Sequence, residues 1–299
     1  MSRGRKPRRH VGVPVRASGM RAIRALWGAT HPGPALVVTA LSLALGLAAG
    51  LDVDRVVLLV VAVLAGQLSV GLSNDAIDLD RDRAVARTDK PLVRGEVGRP
   101  AAWAAASVTL ALALVLSAPL GWQLVTVHAI ALASAWSYNL GLKATPCSIL
   151  PFIVSFGLFP SFATLSTTQP ELAAPWAWVA GAALGAAVHL TNVLPDLDDD
   201  RRTGIRGLPH RLGARTSVAV AAGGIVVAAI AVLVGGAAAL GVAPGVAAWV
   251  FFAGVLGLAM AVVVRLKMRG PDRTGFRLVM AAALLLAVQL VATAGRLTG

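Results

Sequence analysis

Long apolar stretches recur along this chain and decide what it can fold into. We find nine of them, each of about 17–25 residues, which is the length of a helix that crosses a bilayer. They lie at residues 34–50, 56–73, 100–118, 122–138, 147–165, 175–195, 216–240, 244–264 and 276–295. Only 14% of the 299 residues are charged, whereas a soluble domain carries about 25%. The sequence therefore predicts an all-α integral membrane protein with nine transmembrane helices in one bundle.

The lysines and arginines indicate how such a bundle is oriented. With nine spans, the N-terminal arm and alternate loops share one side of the membrane, and those loops lie near residues 74–99, 139–146, 196–215 and 265–275. Of the 27 basic residues, only Arg55 and Arg296 fall on the opposite side. Because positively charged loops stay inside the cell, we expect a cytoplasmic N-terminus, an outside C-terminus and a place in the cell inner (cytoplasmic) membrane.

Membrane topology is one explanation of the net charge of +13, and nucleic-acid binding is another. The placement of the basic residues beside the apolar stretches favours topology instead, and it favours contact of an N-terminal arm, residues 1–21, with anionic membrane lipids. We expect no nucleic-acid partner. Residues 22–299 are predicted to form the membrane domain, with two related halves at about 34–138 and 147–264 and one further helix.

Two acidic clusters end apolar stretches on the predicted cytoplasmic side. A helix turns about 100° per residue, so spacings of i, i+3, i+7 in one cluster and i, i+4, i+8 in the other place each cluster on one helix face. The clusters are Asn74, Asp75, Asp78 and Asp82 in the first and Asn192, Asp196 and Asp200 in the second. An unpaired charge at membrane depth costs about 2.5–3.5 kcal/mol, so these carboxylates require counter-ions.

A metal ion and a phosphorylated substrate would meet that requirement. Carboxylate ligands without Cys or His favour a hard cation, and Mg²⁺ is usually held by one or two carboxylates together with substrate phosphates. Basic residues near the clusters can bind the same phosphates, and these are Arg87, Lys90, Lys143 and Arg206. The alternative is that both clusters are solvated loop starts with local salt bridges.

Three motifs in this order resemble those of the UbiA superfamily of intramembrane prenyltransferases. Asn74 to Asp82 reads NDxxDxxxD, Tyr138 to Lys143 reads YxxxxK, and Asp196 to Asp200 reads DxxxD. The resemblance implies a nine-helix architecture and transfer of a polyprenyl group from its diphosphate to an acceptor, commonly an aromatic ring, as in quinone or related lipid biosynthesis. It also implies Mg²⁺ between the two aspartate motifs.

The resemblance assigns roles to individual residues. Catalysis and metal binding fall to Asp75, Asp78, Asp82, Asp196 and Asp200. Diphosphate binding falls to Asn74, Arg87, Lys90, Tyr138, Lys143, Asn192 and Arg206. For Tyr138 and Lys143 the alternative is an interfacial aromatic and a lysine that extends to the headgroups.

The chain departs from the family pattern in two places. Many members carry Arg where this chain has Leu79, so Arg81 or Arg87 is expected to take over that diphosphate contact. The usual Arg-Pro near the first span is His31-Pro32 here, in a region where members often recognise the acceptor.

Aromatic and histidine side chains suggest how the rest of the substrate is handled. Four phenylalanines share one face of the fifth span, where they either border the prenyl group or pack as ordinary core, and these are Phe152, Phe156, Phe159 and Phe162. His189 lies on the face of Asp196, where it either orients an acceptor or bonds within the bundle. His31 and His128 are left open.

The expected partners are a polyprenyl diphosphate, an unidentified acceptor and membrane lipids, and the oligomeric state is left open. Within the superfamily, a terpene cyclase or a prenyl-phosphate glycosyl-type transferase is an alternative. A cation transporter is an alternative from another class. Transport predicts carboxylates near the bilayer midplane on broken helices, whereas these cluster at one interface beside basic loops, which favours the enzyme.

Overall fold

The computed structural model of the protein describes residues 19–293 and Leu297, and all regular elements among these residues are helical. The α-helices are α1 (Gly19–Gly28), α2 (Pro32–Ala48), α3 (Val53–Ala84), α4 (Arg99–Ser117), α5 (Trp122–Leu140), α6 (Leu150–Thr164), α7 (Pro175–Val193), α8 (Leu197–Arg202), α9 (Leu208–Leu240), α10 (Val246–Arg269) and α11 (Arg273–Ala292). Short 3₁₀ helices lie at Ala118–Leu120, Leu142–Ala144, Pro146–Ile149 and Leu194–Asp196. The predicted all-α class is confirmed.

Seven of the described helices are long and apolar enough to cross a membrane, and the number is eight if the bent pair α1 and α2 is one span. The difference from the predicted nine arises at α2 and α5. Helix α2 has only 17 residues, and α5, with 19, contains Gln123, His128 and Asn139. The nine spans and the orientation of the termini stay predictions. Most of the predicted basic arm, residues 1–18, and Arg296 lie outside the described residues.

The long helices form a closed ring. Each long helix from α2 onward contacts the next one along the chain, and α11 returns to contact α2 and α7. The core between them is built from small and branched side chains, with Leu59, Leu190 and Ile225 fully buried. This arrangement brings the C-terminal ends of α3, α5 and α7 close to one another.

Glycines allow helices in this ring to approach closely. A Cβ atom on Gly181 or Gly185 of α7 would overlap the backbone oxygen of Phe156 or Phe152 on α6. Small residues at such crossings let helix backbones come into contact, which is how membrane helices pack without a hydrophobic driving force between them. Helices α6 and α7 are therefore held at a spacing that only glycine permits.

Replacing Gly181 tests this packing against a matched position. We expect Gly181→Ala to lower the thermal unfolding midpoint in detergent, because the added methyl group must push α6 away from α7. Gly223→Ala, on α9 with nothing within 4 Å of the new atom, is expected to be neutral or stabilising, since Ala exceeds Gly in helix propensity by about 1 kcal/mol. Equal midpoints for the two variants would contradict the close approach.

Candidate active site

A cavity of about 800 Å³ opens among α2, α3, α5, α6, α7 and α11. It gathers ten of the twelve side chains that the sequence singled out, and these are Asn74, Asp75, Asp78, Arg87, Lys90, Tyr138, Lys143, Asn192, Asp196 and Asp200. The other two, Asp82 and Arg206, are not among its lining residues. The two acidic clusters thus share one site, although more than 100 residues separate them in the chain.

Helix α3 carries its carboxylates into the protein interior. It continues past its apolar part to Ala84, and Asp75, Asp78 and Asp82 are 2%, 5% and 1% exposed. Lys90, in the loop after α3, places its Nζ 2.8 Å from Asp75 Oδ1 and 2.7 Å from Asp82 Oδ2. Burial lowers the pKa of Lys90, but the attraction of the two carboxylates outweighs it and raises the pKa overall.

Asp78 receives its counter-ions from two directions. Lys143, in the 3₁₀ turn after α5, donates to Asp78 Oδ1, and Arg81 Nη2 lies 2.9 Å from Asp78 Oδ2. Burial lowers the pKa of Lys143, and the attraction of Asp78 offsets this only in part. The Lys143 side chain is 10% exposed, so it points into the site and not out to the headgroups.

Two arginines connect the acidic clusters across the cavity. Arg81 Nη1 lies 3.4 Å from Asp200 Oδ1 while the same guanidinium holds Asp78. Arg87 Nη1 lies 3.4 Å from Asp196 Oδ1. Because one guanidinium spans only a few ångströms, the Asp78 and Asp200 carboxylates lie close together on either side of Arg81.

The two predicted residues outside the cavity have different surroundings. Asp82 lies behind Lys90, where it accepts from the ammonium group and orients it toward Asp75. Arg206 lines a separate pocket of about 420 Å³, together with Arg201, His210 and Arg211. Asp82 thus acts on the cavity through Lys90, and Arg206 has no place in its wall.

Aromatic side chains form the inner wall of the cavity. Tyr138, Phe152 and Phe156 line it, with Tyr138 edge-on to Phe152 at a ring-centroid distance of 5.1 Å. Phe159 and Phe162, deeper on the same face of α6, are buried in the core instead. Both alternatives from the sequence therefore apply to this row of phenylalanines. Its first two members border the cavity, and its last two pack in the core.

Three histidines that the sequence left open have different hydrogen-bond partners. His189 lines the cavity, but its Nε2 bonds at 3.0 Å to the Ser148 hydroxyl, which also accepts from the backbone N–H of Leu208. His128 bonds within the bundle, with Nδ1 2.9 Å from the Ser117 hydroxyl. His31 reaches the site itself, because its Nε2 lies 3.0 Å from Asp75 Oδ1.

Sequence reasoning left the role of His31 open and missed other residues of this site. His31 has a left-handed backbone, with φ at 55°, at the 75° bend between α1 and α2, and a non-glycine residue in that region is a common mark of functional sites. Its position beside Pro32 was the only local signal. The cavity is also lined by Asp89, Arg273 and Arg277, and nothing in the spacing of these residues connects α11 to the acidic clusters.

The carboxylates suit a metal ion that arrives with phosphate. Among the residues that the structure covers, no three His, Cys, Asp or Glu side chains are arranged to hold a metal by themselves. Asp75, Asp78, Asp196 and Asp200 nevertheless present only oxygen atoms to one cavity. This donor set fits a hard cation whose remaining ligands are phosphate oxygens and water, which is how proteins usually bind Mg²⁺.

Comparison with known proteins identifies the family. Residues 35–285 match the model of the UbiA prenyltransferase family. The chain therefore belongs to the UbiA prenyltransferase family, and the resemblance carried by its three motifs is confirmed together with the predicted enzyme class, a prenyltransferase. With its several apolar helices, it is a multi-pass membrane protein.

Two kinds of named relative are similar in sequence. The digeranylgeranylglyceryl phosphate synthase of Natronomonas pharaonis is 28% identical over 217 residues, which cover 71% of this chain and 77% of the relative. The 4-hydroxybenzoate octaprenyltransferase of Burkholderia mallei is 31% identical over 194 residues, 62% of this chain and 59% of the relative. The match to the second relative thus spans less than two thirds of its length.

Solved structures share the fold. A UbiA homolog from Aeropyrum pernix K1, in its apo form, superposes with a TM-score of 0.71 at 22% identity, covering 86% of this chain and 97% of that one. A UbiA homolog from Archaeoglobus fulgidus bound to GPP and Mg²⁺ superposes with a TM-score of 0.68 at 17% identity, covering 90% and 99%. At these identities the likeness establishes the architecture.

Removing Lys90 tests the buried ion pairs. We expect Lys90→Met to lower the free energy of unfolding by about 3 kcal/mol, since it leaves two buried carboxylates without their shared cation. The measurement is unfolding of the purified protein in detergent, with Lys267→Met on the exposed end of α10 as control. The double variant Lys90→Met/Asp82→Asn removes one orphaned charge and is expected to regain part of the loss. A double variant no more stable than Lys90→Met would contradict the pairing.

Proposed function

We propose that this protein transfers a polyprenyl group from its diphosphate to an acceptor in a Mg²⁺-dependent reaction. The observation that carries the proposal is the pair of opposed acidic clusters, bridged by Arg81 above an aromatic wall. The family and the relatives named prenyltransferases support it. So does the homolog bound to GPP and Mg²⁺, a prenyl diphosphate complex with the same fold.

The charged groups of the cavity can change partners when the substrate arrives. Asp75, Asp78, Asp196 and Asp200 would hold the metal, and once bound it would act as a Lewis acid on the diphosphate leaving group. Basic side chains freed from these carboxylates then donate to phosphate oxygens, and these are Arg81, Arg87, Lys90 and Lys143. Because each carboxylate and each base exchanges one ionic partner for another, no buried charge is left without a counter-ion.

The apolar part of the cavity surrounds the prenyl group, whose allylic carbon reacts. As the bond between the prenyl carbon and the diphosphate oxygen breaks, positive charge develops on the allylic carbon. The faces of Tyr138, Phe152 and Phe156 stabilise that charge and exclude water, which would otherwise capture the cation. The acceptor carbon or oxygen then forms the new bond, and its proton passes to the released diphosphate.

The acceptor is proposed to be aromatic, as in quinone or related lipid biosynthesis. The relatives' names supply two acceptors to test, the aromatic 4-hydroxybenzoate, which fits this proposal, and the lipid geranylgeranylglyceryl phosphate, which is not aromatic. The reaction is proposed to occur on the cytoplasmic side of the cell membrane, in one domain of residues 22–299 with nine spans. Incubating the purified protein with Mg²⁺, isoprenoid diphosphates of several lengths and each acceptor tests this. A cyclised or hydrolysed prenyl product formed without acceptor would favour the terpene cyclase alternative.

Substitutions of Asp78 and Asp196 test whether the reaction depends on a metal ion. We expect Asp78→Asn or Asp196→Asn to lower turnover by roughly 100-fold or more, the usual scale for removing an electrostatic catalytic group, and EDTA to do the same to the wild type. Asp80→Asn is the control, because Asp80 lies on the same helix but its side chain is 75% exposed and pairs with Arg99. Activity that survives both substitutions and EDTA would remove the metal from the mechanism.

Lys143 and Tyr138 test the diphosphate contact. We expect Lys143→Ala to weaken inhibition by inorganic pyrophosphate more than Tyr138→Phe does, because a charged partner of phosphate contributes more than a neutral hydroxyl. The measurement is the pyrophosphate inhibition constant of each variant. Wild-type inhibition in both variants would place the diphosphate elsewhere.

A further inference from the structure

Helix α11 brings two arginines to the cavity that the proposed chemistry does not use. Arg273 and Arg277 are one helical turn apart, both are exposed, and both line the cavity that holds the acidic clusters. Helix α11 forms a wall of the cavity different from those formed by α3 and α7, which carry or lead into the two acidic clusters. The two arginines therefore face the same space from another side.

Neither arginine forms an ion pair with an Asp or Glu side chain. All 14 Asp and Glu residues of the chain fall within the described residues, and none of them forms an ion pair with Arg273 or Arg277. Asp272, their neighbour in the chain, is 3.0 Å from Arg265 Nε and caps α11 through the Thr274 N–H. Asp89 at the cavity rim is 3.0 Å from Arg87 Nε. Arg273 attracts Asp89 only at longer range, and the other carboxylates of the cavity have nearer bases, so neither arginine is held in an ion pair.

The same face of α11 becomes apolar directly below the arginines. Residues at the following helical turns line the cavity too, and these are Phe276, Met280, Ala281 and Leu284. Val37 and Val38 of α2 line it as well, and α2 packs against α11. One helix face thus offers two positive charges and then an apolar surface, which is the pattern that an anionic amphiphile or an aromatic acid would complement.

We propose that Arg273 and Arg277 form a second anion-binding position, which holds the carboxylate or phosphate of the acceptor substrate. The inference rests on the proposed function, because it assigns the prenyl diphosphate to the acidic clusters and their bases. The guanidinium groups bind the anion through paired N–H donors, and the apolar part of the acceptor lies along Phe276 and Met280. This places the acceptor against α11 and the prenyl chain against the aromatic wall of α6.

With this arrangement, a negatively charged acceptor binds more tightly than an uncharged one. An uncharged acceptor that filled this part of the cavity would remove water from two arginines and offer nothing in return, which is costly for charged groups. We therefore expect the protein to distinguish an anionic acceptor from its neutral counterpart of the same shape.

Matched pairs of probes test this without any turnover. Binding is measured in detergent, in the absence of prenyl diphosphate, for 4-hydroxybenzoate against 4-hydroxybenzamide and for geranylgeranylglyceryl phosphate against geranylgeranylglycerol. The wild type is expected to bind the charged member of at least one pair about tenfold more tightly, which is the effect of one or two charge-assisted hydrogen bonds. In Arg273→Gln/Arg277→Gln this preference is expected to disappear, and in Arg273→Lys/Arg277→Lys to persist in part.

Two controls separate this inference from the proposed function. Lys267→Gln/Arg269→Gln removes the same charge from the nearby end of α10, which does not line the cavity, and is expected to keep the wild-type preference. Mg²⁺-dependent binding of geranylgeranyl diphosphate is measured on the same variants and is expected to change less than about threefold in Arg273→Gln/Arg277→Gln, since tenfold corresponds to a full charged contact. Absence of that binding in the wild type would contradict the proposed function alone.

The second anion position is overturned by any of four results. These are equal affinity for both members of each probe pair, an unchanged preference in Arg273→Gln/Arg277→Gln, an equal loss in the α10 control, and a loss of diphosphate affinity as large as the loss of acceptor affinity. A further arm adds phosphatidylglycerol to the detergent micelles. If this lipid abolishes the charge preference of the wild type while neutral phosphatidylcholine does not, the arginines bind a lipid headgroup and the assignment to the acceptor is wrong.

Discussion

Everything in this molecule depends on keeping a group of carboxylates stable at the edge of a hydrophobic bundle. Asp75, Asp78 and Asp82 are almost fully buried, and a buried charge that lacks a partner destabilises a protein by several kcal/mol. The structure supplies the partners from separate parts of the chain, with Lys90 from the loop after α3 and Lys143 from the turn after α5. The ion pairs thus fix the position of both segments as well as the charge of the cavity.

The arginines extend this constraint across the cavity. Arg81 joins Asp78 to Asp200 and Arg87 reaches Asp196, so α3 and the segment after α7 are connected before any ligand arrives. A site held in this way already has its basic groups gathered around the cavity, so a substrate reaches them through a local exchange of ionic partners. Such preorganisation is what gives an electrostatic catalyst its advantage over water, whose dipoles must reorient as charge develops.

Local periodicity was enough to predict the acidic face of α3 but not what covers it, and it did not predict the 3₁₀ turn at Leu194–Asp196 that interrupts the second cluster. The spacing of Asp75, Asp78 and Asp82 placed them on one helix face, yet Asp82 lies behind Lys90 because the loop after α3 folds back over the last turn of the helix. The same limit applies to α6, whose stripe extends from the cavity at Phe152 into the core at Phe162. The spacing of residues determines which way their side chains point around a helix. Whether a side chain is buried depends on how far neighbouring segments extend along that helix.

Contacts between distant parts of the chain were beyond local patterns altogether. His31 meets Asp75 because the chain bends by 75° between α1 and α2, and Arg277 lines the cavity because α11 packs against α2. The apolar pattern located α2 and α5, although α2 has only 17 residues and α5 contains polar ones. A helix in a bundle tolerates polar residues where they bond to a neighbouring helix, as Asn139 does with the Val70 carbonyl.

The closure of the ring by α11 has a consequence for biosynthesis. Among the described residues, the first and last long helices, α2 and α11, both line the cavity and contact each other, so its wall is incomplete until α11 has been synthesised and inserted. Until then the buried carboxylates and their bases border a gap that only lipid or water can fill. A chain that ended before α11 would therefore have the charged centre of the site on an open side of the bundle.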